Sequence, residues 1–175
     1  MKKILVLLSL ALLIIGCAPA AKSMSNFNQV YPLKGESVVV ATNAHKDYID
    51  FANEVSDSVS ANLNARSVSA ITYKASANGL ELSNNPVMDF AKENNAKYIL
   101  SQTFTTLKIY NAALEQYDEE MALYSVEEQK IVWKGTTTWN NPMPMGLGAG
   151  IRAAKDEVIR LLTTDGFLEA VPAQQ

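Results

Sequence analysis

Apolar and polar positions alternate along this chain with two periods, and the periods divide it into elements. Val38-Val39-Val40-Ala41-Thr42 is a short unbroken apolar run, as expected of a strand buried on both faces. Tyr48, Phe51, Ala52, Val55, Val59 and Leu63 then recur every three or four residues, one apolar stripe on a helix over about 47–64. Residues 67–73 alternate again and predict a second strand. Asn78-Gly79 marks a turn, and Asn85-Pro86 a helix start, a capping side chain followed by proline at the first helical position. Val87, Phe90 and Ala91 supply that helix's apolar face, and it fades at Asn94-Asn95. Residues 98–107 are β-branched and aromatic and read as a long strand. Two more strands follow at 117–126 and 130–139, joined by the polar turn Glu127-Glu128-Gln129. In the last, Ile131, Trp133, Gly135, Thr137 and Trp139 share one face. Ile151, Ala154, Val158, Leu161 and Leu162 form a final helical stripe, stopped near Asp165-Gly166. The order β-α-β-α-β-β-β-α predicts an α/β class: a single mixed-sheet domain with helices packed on the sheet. The early strands pair in parallel through right-handed crossovers, and the later hairpin is antiparallel.

The amino terminus has a different pattern. Met1-Lys2-Lys3 precedes Ile4–Ile15, an apolar run interrupted only by Ser9. A basic start and a short apolar stretch are the pattern of a secretory signal. The run is shorter than the roughly 20 residues a membrane-spanning helix needs. Its end, Leu13-Ile14-Ile15-Gly16-Cys17, resembles the bacterial lipobox. That resemblance implies cleavage after Gly16 and acylation at Cys17, the chain's only cysteine. One acyl chain holds a protein to a membrane only marginally, and several hold it stably. Ala18 stands where an aspartate would favour inner-membrane retention, so the same resemblance implies an outer-membrane lipoprotein. The alternative is a buried cysteine in an uncleaved anchor. Residues 1–16 are therefore expected to be a signal peptide, 17–35 a lipidated tether, 36–170 the periplasmic domain and 171–175 a tail. Fully extended, the small, polar stretch 18–35 would reach at most about 60 Å.

Composition narrows the classes. A mature chain beginning at residue 17 is one domain long and large enough to bury a core without disulfides. The formal charge of the 175-residue chain is −3, and loss of Lys2 and Lys3 makes it more acidic. Such a chain is a poor ligand for nucleic acid and adheres weakly to anionic lipid by charge alone. The expected partners are the membrane, through the lipid anchor, and a protein in the envelope or further copies of the chain.

The domain also resembles a known superfamily. The segments "NNAKYILSQTFTTLKI" and "YDEEMALYSVEEQKIVWKGTTTW", between a long amphipathic helix and a closing helix, are similar to periplasmic lipoproteins sharing the fold of the TolB amino-terminal domain. That superfamily includes the curli-export lipoprotein, the Pel ring lipoprotein and the penicillin-binding-protein activator lipoprotein. The resemblance spans about residues 36–168. It implies non-enzymatic work: a lipid-tethered subunit of an export, assembly or cell-wall machine that binds a partner or forms a ring.

Candidates for chemistry are few. His45 is the only histidine. A metal site needs three or four ligands and a serine nucleophile needs an oriented base, so His45 is expected to cap or flank the helix near Lys46-Asp47. Ser56, Ser58 and Ser60 are expected on that helix's solvent face. Asp118, Glu119 and Glu120 form an acidic cluster in which strand alternation lets only Asp118 and Glu120 share a face. It is read as a strand's solvated start or a patch for a basic partner. Gly146, Gly148 and Gly150 lack the spacing of a dinucleotide fingerprint and no P-loop lysine follows, so they read as a flexible connection. No metal or cofactor is expected. The surface candidate is "WNNPMPMGLGAG", whose Trp139, Met143, Met145 and Leu147 either form an exposed interface or cover the sheet's end. Two other functions remain open: an envelope glycan- or lipid-binding module with a pocket lined by Tyr or Trp, and a small envelope enzyme built around His45.

Overall fold

The all-apolar strand at Val38–Ala41 occupies the position its composition demands, inside the sheet with neighbours on both sides. The computed structural model describes residues 20–75, 85–141 and 146–170. The Asn78-Gly79 turn, the lipobox with Cys17, and Met143 and Met145 lie outside them. Six strands, β1 Ala20–Phe27, β2 Ser37–Asn43, β3 Ser69–Tyr73, β4 Tyr98–Tyr110, β5 Ala113–Ser125 and β6 Lys130–Asn140, form one sheet in the order β1-β6-β5-β4-β2-β3. β2 pairs in parallel with β3 and β4, and β4, β5, β6 and β1 pair antiparallel in succession. Three helices pack on it: α1 Ile49–Asn64, α2 Pro86–Glu93 and α3 Leu147–Thr164. A mixed sheet covered by helices, in the expected order, is what the periodicity implies.

Alternation along β2 assigns its two faces. Val38 and Val40 join a core under α1 and α3, with Phe51, Val55, Val59 and Leu63 of α1 and Ala154, Val158, Leu161 and Leu162 of α3. Val39 joins a smaller core on the opposite face, with Ala91, Ala96 and Ile99 under α2. Complete burial of each valine stabilises the fold by about 1.5–3 kcal/mol. Asn85 caps α2 by accepting from the Met88 amide at 3.3 Å, with Pro86 opening the helix. α2 is short, so this second core covers only the parallel half of the sheet.

Four features differ from the expectation. First, residues 20–27, assigned to the tether, form β1, which pairs with β6 along its whole length, Ala20 opposite Asn140 through Phe27 opposite Trp133. Second, β4 and β5 run on to Tyr110 and start at Ala113, closing through Asn111 and Ala112, both at positive φ. Third, a bulge between Leu123 and Tyr124 sets Tyr124 opposite Ile131 and Leu123 opposite Trp133. Val132 is the extra residue, and Ile131 leaves the Trp133–Trp139 face and is exposed. Fourth, the three glycines belong to a helix start. Gly146 precedes α3 and bridges to Ala113, and Gly148 and Gly150 lie within it. A Cβ at Gly150 would stand 2.2 Å from Leu114 Cδ2, so glycine is what lets the start of α3 lie on β5.

Candidate functional site

Because α2 covers only the parallel half, the antiparallel half of the sheet has one bare face. Strand register sets out its side chains in rows: Asn26–Lys134–Ala122–Ser101, Met24–Thr136–Glu120–Thr103 and Lys22–Thr138–Asp118–Thr106. None of these residues is buried. The face is polar and threonine-rich, and Thr138 donates to Asp118 at 2.8 Å across it. Met24 is its apolar feature, 74% exposed on the edge strand. A hollow of about 380 Å³ lies over Met24, Asn26, Lys134 and Thr136. β1 ends the strand order, so among the described residues its outer edge has no ladder partner, the usual template for strand addition.

The opposite face of the same strands carries a buried polar seam beneath α3. Glu119 is 1% exposed and accepts from Gln102 Nε2 at 2.5 Å. In register beside it, Thr137 of β6 donates to Ser23 of β1 at 3.2 Å, and Ser23 donates to Glu157 of α3. Arg160 closes the seam on Glu157, at 2.6 and 3.0 Å. These surroundings set the charge states. Burial pushes the Glu119 carboxyl up to about 8, against the Gln102 hydrogen bond and helped by the charge of Glu157. The Arg160 hydrogen bonds hold Glu157 below the usual carboxylate range. Burial, with Glu119 close by, raises the Tyr117 phenol. At neutral pH the seam therefore holds one neutral carboxylic acid and one paired carboxylate. It ties β1 and β6 to α3 through side-chain hydrogen bonds, an arrangement suited to fixing α3 and β1 on the sheet.

The structure distributes the predicted residues differently. Trp139 is 4% exposed and stacks on Tyr117 with ring centres 5.3 Å apart, so it belongs to the core and to no exposed loop patch. Leu147, the first residue of α3, is half-buried against that core. Both cover the sheet's end. His45 caps the 3₁₀ turn Lys46–Tyr48, accepting from the Asp47 amide at 3.4 Å, in the flanking position expected of it. Ser56 and Ser60 face the sheet and not the solvent. Ser56 donates to Thr42 at 2.7 Å, and Thr72 donates to Ser60 at 2.9 Å. Glu119, the middle of the acidic cluster, is buried, whereas Asp118 and Glu120 lie on the bare face. The alternation Tyr117, Glu119, Met121, Leu123 is the signal for this, because it puts Glu119 on the apolar side. Among the described residues no group of three or more His, Cys, Asp or Glu could hold a metal ion. Tyr117, Trp133 and Trp139 are all buried. Tyr98 is buried as well, whereas Tyr31, Tyr48, Tyr73, Tyr110 and Tyr124 keep some exposure.

No protein-family model matches the chain, and no curated protein matches it by sequence. Solved structures do match. The PelC dodecamer from Paraburkholderia phytofirmans aligns at a TM-score of 0.58 and 15% identity. That alignment covers 82% of this chain and 96% of the PelC chain. This is a likeness of fold. Lipoprotein GNA1162 from Neisseria meningitidis aligns at 0.45 and 10% identity, over 71% of this chain and 99% of that one. The LpoB C-terminal domain from Salmonella enterica aligns at 0.39 and 15%, over 63% and 87%.

Proposed function

We propose that this chain is a lipid-anchored, non-catalytic subunit of a cell-envelope machine, held to the outer membrane by acylated Cys17 and facing the periplasm. In this reading it works by assembling with further copies of itself. The observation that carries the proposal is the bare half-sheet bordered by an open edge strand. A domain with a filled core and no convergent catalytic cluster among the described residues leaves one large ordered surface unused, and that surface is a flat strand face with Met24 at its rim. The fold's likeness to a PelC subunit, which is found as a dodecamer, supports a second copy as the occupant. The lipobox pattern and Ala18 support the anchor and the outer membrane.

The decisive measurement is the native mass of the full-length, detergent-solubilised chain. The expected result is a defined multimer. Replacing Met24 and Thr136 together with arginine should reduce it to a monomer that still unfolds in one cooperative transition, at a melting temperature lowered by the loss of contacts between copies. A wild-type chain that remains monomeric at tens of micromolar defeats the assembly reading. Cys17→Ser should abolish fatty-acid incorporation and release the chain from the membrane pellet, and a variant that still pellets defeats the anchor.

A further inference from the structure

β1 takes up most of the stretch expected to be a tether, and this fixes how the domain can stand. Only Ala18 and Pro19 separate Cys17 from Ala20, the first residue of β1. Three residue steps reach at most about 11 Å. Ala20 itself is held within that distance of the lipidated residue, and the residues level with it on β6, β5 and β4 lie at most about 14 Å further across the sheet. Register identifies those residues. Ala20 pairs with Asn140, Asn140 with Gln116 and Gln116 with Lys108, one row across four strands. Beyond this row, among the described residues, the β4–β5 hairpin continues through Ile109 and Tyr110, the turn Asn111-Ala112, and Ala113, with Gly146 at the start of α3 bridged to Ala113.

The two ends of the antiparallel half differ in chemistry. The β4–β5 tip carries no charged residue from Ile109 to Leu114, and Tyr110 stands out from it, 67% exposed. The β5–β6 turn at the far end is Glu127-Glu128-Gln129-Lys130, all exposed. An exposed tyrosine on an uncharged tip is suited to the headgroup layer, where its ring meets apolar material and its hydroxyl stays wet. Lys108, one row back and exposed, donates to Gln116 at 2.9 Å and is positioned to reach lipid phosphates along its flexible stem.

We infer that the uncharged β4–β5 tip, led by Tyr110, rests in the headgroup layer of the bilayer that holds Cys17, so that the domain stands directly on the membrane with its strands upright. This rests on the lipoprotein reading above and adds the contact surface and the orientation. It also places the β5–β6 turn farthest from the lipid.

The test uses full-length lipidated protein in phosphatidylethanolamine–phosphatidylglycerol vesicles. Acylation consumes the only native thiol, so a cysteine introduced at Tyr110, at Asn111 or at Glu128 can carry an environment-sensitive fluorophore alone. The mass of each preparation reports whether Cys17 is acylated. The expected result is a blue-shifted probe at 110 and 111, several-fold less quenched by aqueous iodide than the probe at 128. Inserting twenty Gly/Ser residues between Pro19 and Ala20 should raise quenching at 110 toward that at 128. With acylated protein, equal quenching at all three positions overturns the orientation and leaves the anchor standing. A probe at 110 equally protected in unlipidated protein without vesicles reveals a contact between copies and also overturns it. Absence of the acyl mass overturns the anchor and the orientation together. If the Tyr110 variant misfolds, the Asn111 probe decides.

Discussion

Glu119→Gln isolates the buried acid from every other titrating group. In the folded chain the carboxyl is pushed from the ordinary 4.5 to about 8 by burial. Between those values the folded state keeps a proton that the unfolded chain has released. Stability from this group is therefore complete below about pH 4.5 and declines as pH rises toward 8. The slope is about 1.4 kcal/mol per pH unit. At pH 7 retention of the proton costs about 3 kcal/mol. Glutamine is neutral throughout, and its side-chain oxygen can still accept from Gln102 Nε2. Its amide also adds donors beside Gln102 Oε1, which has no hydrogen-bond partner. Imperfect pairing of those donors would subtract about 1–3 kcal/mol, but equally at every pH. The informative quantity is thus the difference between variant and wild type as a function of pH. It should grow by about 3–4 kcal/mol between pH 5 and pH 8. Urea unfolding of the Cys17→Ser chain at half-unit pH steps measures it, and shared contributions such as Glu157–Arg160 cancel in the difference. Parallel stability curves would refute the reasoning, because they would mean that Glu119 ionises as freely folded as unfolded.

Three smaller perturbations test the packing. Gly150→Val should lower stability by about 1–3 kcal/mol through collision with Leu114, and Leu114→Ala in the same chain should recover part of that loss in thermal melts. Asn85→Ala removes the α2 cap and should cost about 1 kcal/mol in denaturant unfolding. Trp133→Phe deletes the Nε1 donor that reaches Asp165 Oδ2 at 2.7 Å and should cost about 1–2 kcal/mol, with Asp165→Ala adding little on top of it.

The legible parts of this fold share one property: their pattern reports burial on a single named surface. The α1 stripe, the three-valine strand and the Asn85-Pro86 start each follow from local spacing and packing on one partner. Ile131 does not, because a bulge is set by the pairing of two strands and shifts the parity of everything beyond it. The glycines at the start of α3 read as a loop because isolated propensity disfavours them in a helix. Only the close approach of Leu114 explains their presence there. Ser56 and Ser60 read as solvent-facing because they are polar and their spacing reads as that of the helix's solvent side. Their burial depends on Thr42 and Thr72 arriving from other strands to accept or donate.

β1 is the instructive case, since Ala-Ala-Lys-Ser-Met-Ser-Asn-Phe carries no strand signature of its own. One face meets solvent. The other meets the seam, where Ser23 bonds both Thr137 and Glu157, and only at its end does an apolar residue, Phe27, pack edge-on against Phe167. Such a strand is held by its ladder with β6 and by one half-buried hydroxyl, and neither leaves a hydrophobic period to read. The same sparseness of side chains leaves its outer edge and its bare face unprotected by charge apart from Lys22. An edge strand guarded by a single lysine and no proline is one that proteins often cover. The two proposals, coverage by a second copy along β1 and by lipid at the hairpin tip, therefore rest on one observation: the first residues that the structure describes belong to the sheet.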